Sequence, residues 1–508
     1  MNKFLKAMFC VTFFSVATRA LGFLLKIYLS RKLSNELLGS YQVAMSVFGV
    51  LMTLVSSGIP VVLSRNVSYY HGKQNKTAIG SIVSSGLILT SLICAIVSAL
   101  ILFFPNLTNV LFTSTASVEM IYILLPALVF SSIYEVLRGA LWGQQQFFAI
   151  SFTEFFEQIV RIIIIVILFE TSMVGISQTN KTALSLSLAC VLSSILVIAI
   201  YFKNKGTLAN PKHELKKLIK TSTPITTVRT ISSLMVSIIS IIIPIKLMDF
   251  GYTSSQALSQ YGIVMGMTFP LLMIPSTLIS SLAVTIIPSI SEQSNDIDSG
   301  NLKNTSVLKS KVNFAVRTAI VFSMILIPTF ISLGQPLCLF VFNNSQAGIY
   351  LSCATICMLP LGISQITSSI LNAIGLEMKS LKHYAISSSL LVLCILFLPK
   401  YLGTYALIVG YLMMSLSTTI FNISMLKKRD LIDIHFTKTI GLMCVVSFIS
   451  SLLSYFVFNL LSFHFVFALI VSATISIAST CTLILTFNIA NFKMVVMSKF
   501  KFLRKRHL

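Results

Sequence analysis

The sequence predicts an all-α polytopic membrane protein of about 14 transmembrane helices. They form two parallel-topology six-helix lobes around a central cavity, plus two C-terminal helices. The first supporting observation is composition. The chain has 508 residues, 56% hydrophobic and only 10% charged, with a mean hydropathy of +0.92. Soluble domains carry about 25% charged residues, so a surface built from this chain belongs in a bilayer. The second is a succession of apolar runs of roughly 20 residues, the length that crosses a hydrocarbon core. The third is a weak repeat between the two halves of the chain.

The apolar runs fall at 4–30, 38–63, 79–104, 119–142, 149–170, 182–202, 222–247, 258–288, 313–334, 347–374, 383–399, 402–425, 437–459 and 463–489. Lys3 and Lys6 precede the first run, as in a secretory leader. Arg19 interrupts it, however, and no small-residue cleavage site follows, so it reads as a retained first helix. Grouping the runs gives an N-lobe over 1–203, a basic cytoplasmic linker over 204–221 and a C-lobe over 222–430. Helices 13 and 14 fill 431–490, and a basic cytoplasmic tail occupies 491–508.

The repeat rests on matching punctuation. Leu125-Pro126 leads to Leu137-Arg138-Gly139 and Gly143; Leu359-Pro360 leads to Leu371, Asn372 and Gly375. Gly58-Ile59-Pro60 in the second run corresponds to Ile286-Ile287-Pro288 in the eighth, and Arg19 in the first to Arg229 in the seventh. Six spans per half make the repeats parallel, which sets a central site between lobes that rock for alternating access.

An even number of spans leaves both termini on one side, and Lys and Arg indicate which. With the N-terminus inside, about 26 of the 37 Lys/Arg occupy cytoplasmic loops and about 5 the outer loops. The expectation is a multi-pass protein of the cytoplasmic membrane with both termini cytoplasmic. The net charge of +23 lies in clusters at 203–220, 427–438 and 499–506. Such clusters flank membrane helices and bind anionic headgroups, and they exclude nucleic acid as the partner.

Six basic residues remain inside spans: Arg19, Lys26, Arg138, Arg161, Arg229 and Arg317. Ionisable groups at the bilayer centre cost roughly 2.5–3.5 kcal/mol each and persist where they face a cavity or a partner. Arg19 and Lys26, seven residues apart, project within about 20° of one another. Ser15 and Gly22 share that face. Arg229 is expected opposite, across the cavity, with Arg317 adding to it. Such a cavity favours phosphate or pyrophosphate, which guanidinium groups grip in bidentate fashion.

A second group, Glu135, Arg138, Glu154, Glu157 and Arg161, is expected as one charge network joining the fourth and fifth spans. It acts either as a static lock or as a gate. Prolines recur inside spans, and Pro224, Pro275 and Pro360 are the hinge candidates.

The nine cysteines lie mostly within apolar runs, with Cys353 and Cys357 on one helix face and no further ligands beside them. They read as small buried hydrophobes. The six histidines offer no metal geometry, and no phosphate-binding glycine loop or nucleophile elbow is visible. The expectation is a non-enzyme without catalytic residues, metal or cofactor.

Several motifs in shared order carry a family resemblance. They are Thr18-Arg19-Ala20-Leu21-Gly22-Phe23 with Lys26, Arg31, Gly39 and Tyr41; Ser57-Gly58-Ile59-Pro60 with Arg65; and Leu137-Arg138-Gly139 to Gly143, then Glu157-Gln158-Ile159-Val160-Arg161. Tyr261-Gly262, Pro275, Pro288-Ser289-Ile290-Ser291-Glu292 and Leu371-Asn372-Ala373-Ile374-Gly375 agree as well. Over about residues 5–430 the chain resembles the stage V sporulation protein B-like polysaccharide transporter family. That family lies within the multidrug/oligosaccharidyl-lipid/polysaccharide (MOP, MATE-like) exporter superfamily.

The resemblance implies two six-helix lobes and a kinship with lipid II flippases, whose first-helix arginines engage a pyrophosphate. Arg19 matches such a position, and Lys26 replaces an arginine. Trp142 stands where an aromatic is usual, and Gln144-Gln145-Gln146 departs from the pattern. Sporulation-type members act in spore cortex peptidoglycan assembly.

The expected function is a flippase for an undecaprenyl-pyrophosphate-linked sugar, driven by membrane potential, H⁺ or Na⁺. Membrane lipids and cell-wall or polysaccharide synthesis enzymes are expected as its other partners. A cation-coupled multidrug exporter of the same superfamily is the alternative; it calls for a carboxylate where the first span has Arg19 and Lys26. An alternative of another class is a scaffold or polymerase of a polysaccharide assembly complex, which calls for polar outer loops. Those at 105–118 and 335–346 are uncharged.

Overall fold

The computed structural model describes residues 3–487, apart from 107–111, 113, 172–174, 212–213, 299–304, 434–435 and 462–463. The expected tail at 491–508 and Lys212 of the linker lie outside the described residues. Among the described residues there is no strand; helices joined by short turns account for the chain. Twelve helices are long and apolar enough to cross a membrane, thirteen if one bent pair counts as a span. The chain is a multi-pass membrane protein with the expected all-helical class.

The chain forms two compact units, Met1–Gly262 and Ile263–Leu508. Unit 1 begins with α1 (Lys3–Lys32), α2 (Asn35–Ser56) and α3 (Ile59–Gly72). It continues with α4 (Lys76–Phe103), α5 (Thr115–Gly143), α6 (Phe147–Glu170) and α7 (Gln178–Lys203), and ends with α8 (Glu214–Met248) and α9 (Ser254–Gly262). Ser34, Asn75 and Ser177 cap α2, α4 and α7 by accepting from Leu37 (3.3 Å), Ala78 (3.0 Å) and Asn180 (3.2 Å) backbone N–H groups, supplying acceptors that each helix start lacks.

The second expected span is broken at Ser57-Gly58. Pro60 has no N–H to continue the α2 ladder, yet it suits the first turn of a new helix, and α3 begins there. The break brings α3 onto α5, where a Cβ on Gly139 would stand 2.9 Å from the Pro60 carbonyl and one on Gly143 2.6 Å from that of Ser64. Small side chains let membrane helices approach this closely. Leu63, Val67, Ile82, Val83, Leu141 and Tyr201 are buried around that contact.

The fifth expected span, 149–170, is the helix α6. Its Glu154, Glu157 and Arg161 keep it out of the twelve apolar spans, which accounts for one of the two by which the expected fourteen exceeds that tally. The eighth, 258–288, is interrupted. A wide helical turn at Ile263–Thr268 and α10 (Phe269–Leu272) precede α11 (Ile274–Asp298), and the chain bends by 46° at the break around Met273. The boundary of the compact units falls within this span, and α8 packs on α2, α3 and α4 while α9 packs on α2.

Unit 2 contains α12 (Thr305–Ile325), α13 (Ile327–Phe342), α14 (Ser345–Ala354), α15 (Met358–Ala373) and α16 (Glu377–Phe397). The short α17 (Pro399–Leu402), α18 (Tyr405–Lys428), α19 (Phe436–Leu460) and α20 (Phe465–Thr486) complete it. Its core gathers Val312, Ala315, Val316, Ala319, Ile366 and Ile370. Pro328 opens α13 after a break at Leu326.

Candidate functional site

Helix α1 runs parallel to α6, as its contacts climb both helices together. Phe14 packs edge-on against Phe148, Phe152 and Phe155, with ring centroids 5.4–6.3 Å apart. Gly22 faces Gln158, and Tyr28 meets Phe169 at 5.9 Å. At the far end Lys32 Nζ bonds Glu170 at 2.7 Å.

Arg19 and Lys26 are both exposed on this helix. Lys26 lies within electrostatic reach of Arg161. Arg161 in turn donates from Nη2 to the Tyr41 hydroxyl at 3.1 Å, which ties α6 to α2. Around them four buried polar atoms have no hydrogen-bond partner: Thr18 Oγ1, Tyr28 Oη, Gln158 Oε1 and Arg161 Nε. Buried polar atoms are normally paired. Their accumulation beside two cations makes the α1–α6 seam the candidate polar site of this unit.

Of the five residues expected as one charge network, three are joined by direct contacts. Arg138 Nη1 donates to both Glu135 oxygens, at 3.0 and 3.2 Å, and its Nη2 pairs with Glu154. This triad links α5 to α6. Glu157 lies near Arg161 and Ser193 of α7, and within electrostatic reach of Glu135 and Glu154. Tyr134 and Thr153 bond at 3.1 Å next to the triad.

Arg229 belongs to unit 1. It is exposed, and its Nη1 donates to the Ser57 carbonyl at 3.0 Å, at the break between α2 and α3. Thr53 and Ser233 join the same helices at 3.3 Å. Arg317 lies in unit 2 on α12. It is half-buried, within reach of Asp433, with its Nε unpartnered. Asp433 itself holds Lys309 at 2.9 Å.

The hinge candidates differ from one another. Pro224 lies inside the continuous α8. Pro275 begins α11 at the 46° bend. Pro360 follows a tight turn at Thr355–Cys357, and its carbonyl accepts from Thr419 at 2.9 Å.

Tyr41 and Gln158 were overlooked as site residues by sequence reasoning. The available signal was the polar stripe Glu154, Gln158, Arg161 at i, i+4, i+7 on an apolar helix. Among the described residues no group of three His, Cys, Asp or Glu side chains could hold a metal ion.

The profile of the polysaccharide biosynthesis protein family matches residues 4–294. The chain is 26% identical over 360 residues to stage V sporulation protein B of Bacillus subtilis (strain 168), covering 68% of each protein. Its fold is similar to that of the lipid II flippase MurJ in an inward closed conformation. That similarity has a TM-score of 0.72 at 17% identity, with 94% of this chain and 99% of that one covered. An inward-facing multidrug resistance MATE family transporter of the MOP superfamily is also similar. There the TM-score is 0.66 at 16% identity, with 82% and 94% covered. With more than half of its length matched by the family profile, and with a MOP-type fold, the chain belongs to the polysaccharide biosynthesis protein family.

Proposed function

We propose that this chain is a flippase. It moves a lipid-linked, pyrophosphate-bearing sugar precursor, lipid II-like or a polysaccharide repeat unit, across the cytoplasmic membrane by alternating access. The observation that carries this reading is the α1–α6 seam. Lys26 and Arg161 share one field there, Arg161 bonds a phenol, and unpartnered polar atoms surround them. Like charges held in an apolar span repel, and an oxyanion bound between them removes that cost. Arg19, one to two turns away on α1, extends the cationic face toward a diphosphate or its sugar. The lipid tail stays in the bilayer while the headgroup is handed across. An anionic headgroup moving outward is assisted by an inside-negative potential, about 2.3 kcal/mol per charge per 100 mV.

The family, and the similarity to a sporulation protein and to a lipid II flippase, support a role in cell wall, spore cortex or surface polysaccharide assembly. The positive-inside asymmetry of Lys and Arg supports a cytoplasmic position for both termini. A drug exporter of the same superfamily handles cationic cargo through a free carboxylate. In this chain Glu135 and Glu154 are both engaged by Arg138, which favours the anionic cargo.

The test is a competition on the full chain in lipid nanodiscs. A polyprenyl-pyrophosphate-linked saccharide is expected to bind and to resist displacement by cationic dyes. Preferential binding of the dyes overturns the reading.

A further inference from the structure

Beside the α2–α3 break, between α4 and α8, lies an open groove of ≈ 420 Å³, within the ≈ 300–1,000 Å³ of organic ligand sites. Leu54, Leu89, Ile93 and Ile219 wall it, and a row of threonines on α8 forms its floor. Two of those threonines have their hydroxyls satisfied within the helix. Thr223 and Thr227 return their hydroxyls to the carbonyls of Ile219 and Thr223, one turn back, at 2.7 and 2.9 Å. Next to the groove, Ile88, Leu92 and Ile96 of α4 are about half exposed (49–58%), so its mouth opens on an aliphatic surface suited to lipid.

The other end of the groove is cationic. Lys216 and Lys220 are exposed one turn before Ile219 and Thr223, and residues at that spacing share a helix face. Lys217 lies within reach of Tyr69, whose hydroxyl accepts from Lys73 at 2.5 Å. Such an array at a membrane rim attracts anionic headgroups, each Lys contributing to the binding.

We propose that this groove is a resident-lipid site. An acyl chain of an anionic phospholipid of the cytoplasmic leaflet lies against the α8 threonines, and its phosphate sits on Lys216 and Lys220. The chain thereby fills the space beside the break that Arg229 holds at Ser57. The site is separate from the α1–α6 seam and does not depend on what the protein transports.

The experiment uses the full chain in mixed nanodiscs of phosphatidylglycerol and phosphatidylcholine, with retained lipid counted by native mass spectrometry. Phosphatidylglycerol is expected to be retained about tenfold over phosphatidylcholine. Lys216→Gln with Lys220→Gln removes the preference, and Leu89→Trp, which fills the groove, lowers retention of both lipids. Thr230→Val is expected to raise retention, because the Thr230 hydroxyl at the deep end is buried and unpartnered. Phosphatidylglycerol carrying a photoreactive acyl chain is expected to label residues 219–231 of the unmodified protein. Labelling elsewhere, equal retention of the two headgroups, or preferential displacement by a polyprenol overturns the proposal.

Discussion

Arg229 Nη1 donates to the Ser57 carbonyl at 3.0 Å, joining α8 to the point where α2 ends and α3 begins. A helix break frees backbone carbonyls that need donors in lipid, and this guanidinium supplies one. Arg229→Ala is therefore expected to lower stability by about 1 kcal/mol, below the roughly 1.5–3 kcal/mol of a charge-assisted bond because the side chain is exposed. Arg229→Lys, with one donor in reach, is expected to lose less. Thermal unfolding in nanodiscs checks the order. An Ala variant as stable as the parent assigns Arg229 to cargo alone.

Arg138 holds two carboxylates from two helices. Arg138→Ala leaves Glu135 and Glu154 facing each other without a cation, an expected loss of about 1–3 kcal/mol. Adding Glu154→Ala is expected to recover part of that loss, since partners in one network are not additive. A double variant that sums the two single losses contradicts the coupling.

The glycines of the family motifs divide by their surroundings. A Cβ at Gly139 meets the Pro60 backbone at 2.9 Å, whereas at Gly22 the nearest atom is Gln158 Nε2 at 3.8 Å. Gly139→Ala is expected to destabilise by about 1–3 kcal/mol through overpacking. Gly22→Ala is expected to be neutral or stabilising by up to about 1 kcal/mol, as Ala favours helix. Urea or thermal scans of the two variants read the difference, and equal effects contradict the packing of α5 on α3.

Lys26 presents a point charge where a planar fork would bind two oxygens at once. Lys26→Arg is expected to tighten binding of a pyrophosphate-linked lipid by a few-fold and Lys26→Gln to weaken it about tenfold. Equilibrium binding at fixed ionic strength is the measurement. No change in either variant removes Lys26 from the cargo site.

The helical fold was legible because a bilayer imposes one dominant constraint, apolar length, and the chain meets it repeatedly. The exceptions follow from chemistry that hydropathy does not weigh. Helix α6 carries four charges, which have partners on neighbouring helices, and the run at 258–288 bends around Met273 beside Pro275. Arg19 and Lys26 were legible as one face from helical period alone. The partners of the other charges were not, since Tyr41 is 120 residues from Arg161 and Ser57 is 172 from Arg229. Spacing along one helix placed Glu157 by Arg161; the Tyr41 hydroxyl, on another helix, could not be read that way. The break at Ser57-Gly58 was foreshadowed by Pro60, but its cation came from a helix that no local signal connects to it.

The central claim is that the cationic face of α1 receives an anionic lipid-linked headgroup. It is tested most directly by Arg19→Ala in cells depleted of their own precursor flippase, with outward-facing lipid-linked precursor measured on the intact membrane. Export is expected to fall at least tenfold, about 1.4 kcal/mol of lost stabilisation, while the variant remains folded and membrane-inserted. Export at the parental rate from a folded Arg19→Ala protein contradicts the claim.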